Sequence, residues 1–248
     1  MESKAYEYMD WPRIEAVVYG EEASPKDVMA PRLTTDGVLI QGFFPEADKA
    51  EVLVGSRKYE MEQEDEAGYF AAMIPGRRIP DYKYRVTKGE ETKEFADPYA
   101  FSGQITEAEE KAFCAGVYYH AYEKLGAHPM EINGVKGTSF AVWAPNAMRV
   151  SVVGDFNAWD GRCHAMHRMP MSGIFELFIP GVKAGDIYKY ELKLKGNRIE
   201  LKSDPYAACT EVPPANASVV ADTSVFQWED ETWMKERKKF SDRKQPIS

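Results

Sequence analysis

The residues best placed to do chemistry sit in one loop, Phe156-Asn157-Ala158-Trp159, which follows β-rich runs at residues 140–143 and 150–153 and the breaker pair Gly154-Asp155. A tryptophan delivered by a polar loop has two readings. It closes the end of a β-sandwich core, or it presents a flat ring to a ligand. Cys163, His164 and His167 stand close by, but a closed zinc site takes four ligands and no fourth is suggested nearby, so no metal is expected. Cys114, Cys163 and Cys209 follow no metal or disulfide spacing and read as reduced thiols. Among the carboxylates, Glu107, Glu109 and Glu110 read as a solvated helix face, and Asp97 and Asp204 as turn residues before proline. No cofactor motif is present.

The whole chain sets the limits within which that loop must work. Its 248 residues allow one large domain or two of ordinary size, and 44% hydrophobic with 29% charged residues is a normal globular composition. No apolar run approaches the ~18 residues of a membrane span, and no basic start followed by an apolar block marks a signal peptide, so a cytoplasmic protein is expected. A net charge of −9 argues against nucleic acid, whose phosphates need a basic surface. The expected ligand is neutral or basic.

The elements that must position the loop form a repeat. Residues 1–36 are irregular, with Pro12, Pro25 and Pro31 as punctuation and a short helix over 14–20 closed by Gly20. From Gly37 short β-rich runs follow at residues 38–44, 50–54, 69–74 and 82–87, at sandwich spacing. The same plan returns one hundred residues later. Gly37 and Phe43-Phe44-Pro45 match Gly137 and Trp143-Ala144-Pro145, and Ala50 to Gly55 match Arg149 to Gly154. Gly68-Tyr69-Phe70 with Ile74-Pro75-Gly76 match Gly173-Ile174-Phe175 with Ile179-Pro180-Gly181. Tyr82-Lys83-Tyr84 match Tyr188-Lys189-Tyr190, and Asp97-Pro98-Tyr99 match Asp204-Pro205-Tyr206. The fold class is therefore all-β: two tandem immunoglobulin-like β-sandwiches joined by a short helical linker. The boundaries predicted are 1–105, a linker at 106–136, 137–226, and a connector at 227–248. Within the linker Thr106-x-x-Glu109 reads as a capping box, and Tyr118, Tyr119 and Tyr122 as packing between the sandwiches. Trp143 aligns with a phenylalanine-rich core position and reads as scaffold. Trp159 has no counterpart in the first copy, which shifts it towards a surface role.

Tyr122-Glu123-Lys124-Leu125-Gly126-Ala127-His128-Pro129, Phe140 to Ala147, residues 150–160 and Tyr188-Lys189-Tyr190-Glu191 together resemble the N-terminal region of glycogen branching enzymes. The tail from Phe226 through Trp228, Trp233 and Arg237 to Gln245-Pro246-Ile247-Ser248 resembles that family's approach to its catalytic barrel. The first repeat resembles the extra N-terminal domain of some bacterial members, and the second the carbohydrate-binding module of family 48. The resemblance implies that Trp159 and Lys189 line an α-glucan site, with Asn157 a third contributor, and that partners are a weakly held α-glucan and the barrel of the same polypeptide. A (β/α)₈ barrel takes about 250 residues and retaining glycosyl transfer needs two carboxylates about 5 Å apart. No such pair can be nominated, so no catalytic residue is assigned and the chain alone is expected to be inactive. One departure counts against binding: glucan-binding members carry a second tryptophan after a later hairpin, where this chain has Gly196-Asn197-Arg198-Ile199. A glucan-binding module, a structural spacer with a degenerate sugar site, and an interaction module resembling kinase-associated glycogen sensors remain open.

Overall fold

The computed structural model describes residues 5–225 and 227–240. The expectations for Phe226 and for Gln245-Pro246-Ile247-Ser248 lie outside the described residues. The described residues fold into four antiparallel sheets that pair into two sandwiches. In the first, strands Val38–Phe43 and Tyr69–Ile74 lie at the centre of one sheet, and Lys49–Val54 and Lys83–Lys88 at the centre of the other. Val38, Ile40, Phe70, Ala72 and Ile74 face Ala50, Val52 and Tyr84 across the core. In the second, Val135–Trp143 and Ile174–Pro180 face Arg149–Gly154 and Ile187–Leu194, with Phe140, Phe175, Val150, Val152, Tyr188 and Tyr190 between them.

The pairing confirms the repeat and corrects it at one strand. Phe43 pairs with Tyr69 as Trp143 pairs with Ile174. Val52, however, lies opposite Tyr84 and Val152 opposite Tyr190, so Ala50 corresponds to Val150 and not to Arg149. The sequence match was one residue out of step, and such a slip would turn the apolar set to the wrong face.

The strongest element of the repeat is a buried carboxylate. Tyr82 and Tyr84 donate to Asp97 Oδ2 at 2.5 and 3.0 Å, and the Tyr99 N–H to Oδ1 at 2.8 Å. Tyr188 and Tyr190 donate to Asp204 Oδ2 at 2.6 and 3.2 Å, and the Tyr206 N–H to Oδ1 at 2.8 Å. Each aspartate does more than open its turn: it ties the Tyr-x-Tyr strand to the chain that leaves the sandwich.

Helices α1 (Trp11–Val18) and α2 (Pro25–Met29) supply Ile14, Val17, Val18, Val28 and Met29 to the core. The first helix starts three residues earlier than predicted, with a proline in its first turn, and Gly20 follows its cap with φ +63°. These side chains, the outer face of the first sandwich (Leu39, Phe43, Tyr69, Ala71) and the interior of the second form one continuous apolar cluster.

The stretch predicted as linker divides. Helix α3 (Glu107–Cys114) has the capping box, with Thr106 and Glu109 bonded reciprocally. Strand Gly126–Ile132 already belongs to the second sandwich as an edge strand, where Pro129 costs no ladder bond to an outer neighbour. Tyr119 and Tyr122 are exposed and Tyr118 bonds to Glu109 at 2.9 Å, so this cluster does not pack between the sandwiches. Glu110 also departs from expectation. It is buried, and its Oε1 accepts from the Met171 and Ser172 N–H groups and the Ser172 hydroxyl, each at 2.9 Å. Glu110→Ala should cost about 2 kcal/mol in urea unfolding by stranding these donors, whereas Glu107→Ala, on the exposed face, should leave the unfolding midpoint almost unchanged. Among the described residues no helix is long and apolar enough to cross a membrane.

Candidate functional site

The Trp159 loop begins where strand Arg149–Gly154 ends. Gly154 cannot be replaced without displacing its neighbours, because a Cβ there would lie 2.3 Å from the Ile187 carbonyl and 2.6 Å from the Phe156 ring. Residues 155–157 make one 3₁₀ turn, and Ala158 and Trp159 then take φ of +52° and +62°. Left-handed backbone at a tryptophan is unusual and carries strain of order 1 kcal/mol or more. Fixed bonds hold it. The Trp159 N–H donates to the Gly154 carbonyl at 3.0 Å, and the indole Nε1–H to Asp155 Oδ1 at 2.8 Å. The ring is thus pinned at both ends while remaining partly exposed.

Asn157 is the loop's internal brace. Its Oδ1 accepts from the Gly154 N–H at 2.9 Å, and its Nδ2 donates to the Val152 carbonyl and His164 Nδ1, both at 2.9 Å. Those bonds occupy the amide, so Asn157 shapes the loop from within and does not offer a free edge. His164 is therefore used as an acceptor, and burial depresses its imidazole to about 4. Burial raises the Cys163 thiol to about 12. Burial also pushes the Asp160 carboxyl up, but the Arg162 side chain, at 2.7 and 3.0 Å, and the Arg162 N–H outweigh it and hold it low.

Lys189 lies opposite Val153, one step from the Tyr188–Gly154 pair. Because Tyr188 and Tyr190 fill the core, alternation puts Lys189 on the outer face of the sheet, where its ammonium bonds the Asn216 amide oxygen. The structure thus brings Lys189 and the backbone anchor of Trp159 to one end of this sheet. Trp143 is not in the core: it is 54% exposed, donates to the Ser172 carbonyl at 2.9 Å and meets Phe113 edge-on. It remains scaffold, but on the outer face. Sequence reasoning missed Asp155, whose only signal was an acceptor four residues before the indole. It also missed Arg149. Arg149 lies under the loop, donating to the Gly161 carbonyl and Ser151 Oγ and pairing with Glu191 at 2.5 Å.

The family description of carbohydrate-binding module 48 (isoamylase N-terminal domain) matches residues 124–207, and that of the alpha-1,4-glucan branching enzyme GlgB N-terminal domain matches residues 10–99. The two sandwiches belong to these families. The match of module 48 starts at Lys124, in step with the edge strand at Gly126 and ahead of the boundary predicted at 137. The chain is 42% identical to 1,4-alpha-glucan branching enzyme GlgB of Cereibacter sphaeroides over 250 aligned positions, covering 99% of this chain and 34% of that protein. It is 39% identical to the GlgB proteins of Synechococcus elongatus, covering 95% and 31%, and of Paramagnetospirillum magneticum, covering 94% and 32%. The chain spans about a third of the length of these relatives. A solved pullulanase from Anoxybacillus sp. LM18-11, complexed with maltotetraose, shares 19% identity at a TM-score of 0.36, over 79% of this chain and 26% of that one.

Proposed function

We propose that this chain is the non-catalytic, α-glucan-holding N-terminal part of a cytoplasmic glycogen branching enzyme, and that its module 48 grips glucan through the Trp159 loop. The observation that carries the reading is the pinned, partly exposed indole in a module of that family. A ring fixed before the ligand arrives loses little freedom on binding. Pyranose C–H faces stack on it, the Lys189 ammonium reaches the hydroxyls, and Asn157 and Asp155 keep the loop in shape. One ring and one sugar face bury roughly 200 Å², about 5 kcal/mol gross at ~25 cal/mol per Å², against an association cost of about 4 kcal/mol or more. Affinity for a single site is therefore weak, millimolar at best, and multiple sites on one polymer make it useful. In the full-length protein the exposed Trp228 and Trp233, before and on helix α4 (Glu231–Phe240), would face the catalytic barrel that moves α-1,4-linked chains to α-1,6 branches.

Affinity electrophoresis in gels containing glycogen or amylopectin tests the reading. The wild-type chain should be retarded, Trp159→Ala should migrate as in a plain gel, and Lys189→Ala should lose part of the retardation. A wild-type chain that is not retarded removes the proposal. It would favour the spacer reading, for which there is one observation: the hairpin at Gly196 and Asn197 is followed by exposed Ile199 and Leu201 instead of a second tryptophan.

A further inference from the structure

Between the two modules runs a groove that the Trp159 site does not use. Its first part is a cavity of about 240 Å³ between Phe44 and Val86 of the first sandwich and Phe156 of the second. Its second part, about 370 Å³, reaches the turn around Gly181. Phe95, Pro98, Phe156 and His164 line both parts, so the two adjoin along a common wall. Each far exceeds the ~15 Å³ that a single water needs, and each opens to the surface instead of being a closed hole.

Nearby, the modules close tightly, with Leu39, Phe43 and Tyr69 of the first buried in the shared core. In the groove, by contrast, Phe44, Phe95 and Phe156 are half-buried and leave part of their surface to line the cavity. Apolar ring surface left open between otherwise packed bodies is a mark of a ligand site. Its charges are paired: Lys88 with Glu46, Lys93 with Glu91 at 3.7 Å, and Glu94 with Arg85. Asp97, also in the wall, commits its carboxylate to the Tyr82 and Tyr84 hydroxyls and the Tyr99 N–H. The occupant that fits is linear and uncharged, with apolar ring faces for the phenylalanines and hydroxyl edges for the ionic rim. We infer that the groove is a second α-glucan site, built from both modules and adjoining the first through the shared loop that carries Phe156, Asn157 and Trp159. The inference rests on the reading of the chain as a glucan holder, and it assigns the first module a direct part in binding. One polymer engaging two weak sites is held far longer than either site alone would hold it.

The test is an NMR titration of the full chain with maltoheptaose, following the Trp159 indole N–H for the loop and Phe95 and Val86 for the groove. Both sets should shift in the wild type. Ala47→Trp, which fills the groove from its half-exposed lip, should weaken the groove titration at least tenfold and leave the indole titration within twofold; Val86→Met serves if that variant melts early. Trp159→Ala should leave the groove titration in place. If the groove signals do not move in the wild type, move equally in a folded Ala47→Trp chain, or vanish with Trp159, the second site is overturned. If the groove titrates and the Trp159 indole does not, the groove stands and the Trp159 reading fails.

Discussion

Arg149→Met is expected to destabilise the chain by about 3–5 kcal/mol, the range for removing one partner of a buried ion pair. Arg149 is only 2% exposed. Its guanidinium pairs with Glu191 at 2.5 Å and donates to Ser151 Oγ and the Gly161 carbonyl. A side chain at Gly20, after helix α1, would come within 3.6 Å of it. Methionine fills similar space but leaves the Glu191 carboxylate facing the loop with no cation and the Gly161 carbonyl with no donor. The Glu191 side chain keeps 15% of its surface, so water relieves some of the loss and the lower end of the range is the expectation. Urea unfolding of Arg149→Met, Glu191→Leu and the double variant gives the coupling directly. The double variant should recover at least ~1 kcal/mol relative to Arg149→Met, since the stranded charge is gone. A single-variant loss below ~1 kcal/mol would show that the pair does not hold the loop. Because Gly161 lies in the same loop as Trp159, retardation in glycogen gels should fall along with stability.

The second large effect is expected at Asp97. Asp97→Ala leaves the Tyr82 hydroxyl and the Tyr99 N–H without an acceptor in the first sandwich, while the Tyr84 hydroxyl keeps the Gln41 carbonyl at 2.6 Å, at a cost of about 2–4 kcal/mol for the group. Asp97 also makes stability depend on pH in an unusual direction. Burial raises its carboxyl to about 6 from an ordinary 3.8, although the bonds from Tyr82, Tyr99 and Tyr84 pull the other way. The native state then binds that proton more tightly than the unfolded chain. Its contribution is fully present below pH 3.8 and is lost as pH rises through about 6. Asp97→Asn cannot titrate there. The stability of wild type minus that of Asp97→Asn should fall between about pH 4 and 6 and stay level above it, measured by urea unfolding at half-unit steps. A difference that rises with pH over that interval would contradict the assignment.

Much of this architecture could be read from particular residues. The recurrence of Tyr-x-Tyr and Asp-Pro-Tyr marked two copies of one sandwich because each set builds the same buried node. The edge strand at Gly126–Ile132 was hidden by Pro129, which reads as a breaker until the strand is known to lie at a sheet edge. Glu110 was hidden because its partners, Met171 and Ser172, lie some sixty residues away, and helix periodicity carries no trace of them. Val38 to Phe43 held a clue that went unused. All six residues are buried, and the apolar run Val38-Leu39-Ile40 with Phe43, in which the one polar residue, Gln41, is bonded to the Val28 carbonyl and the Tyr69 hydroxyl, signals a strand covered on both faces. Its second cover is the helices and the other module, which no local pattern could name. In the site, residue type and loop position pointed to Trp159 and the family resemblance to Lys189, but only geometry reveals that Asn157 spends its amide on the loop.

The continuous apolar cluster bears on how this module 48 can be handled as a part. Domains travel between proteins easily when the surface they share with neighbours is small and polar. Here Val150, Val152 and Phe175 belong to the same cluster as Ile14, Val28 and Leu39. A binding tag cut at residue 124 would carry a raw hydrophobic flank and Arg149 without its cover at Gly20, and would tend to aggregate. The smallest portable unit is the pair of sandwiches with the N-terminal helices attached.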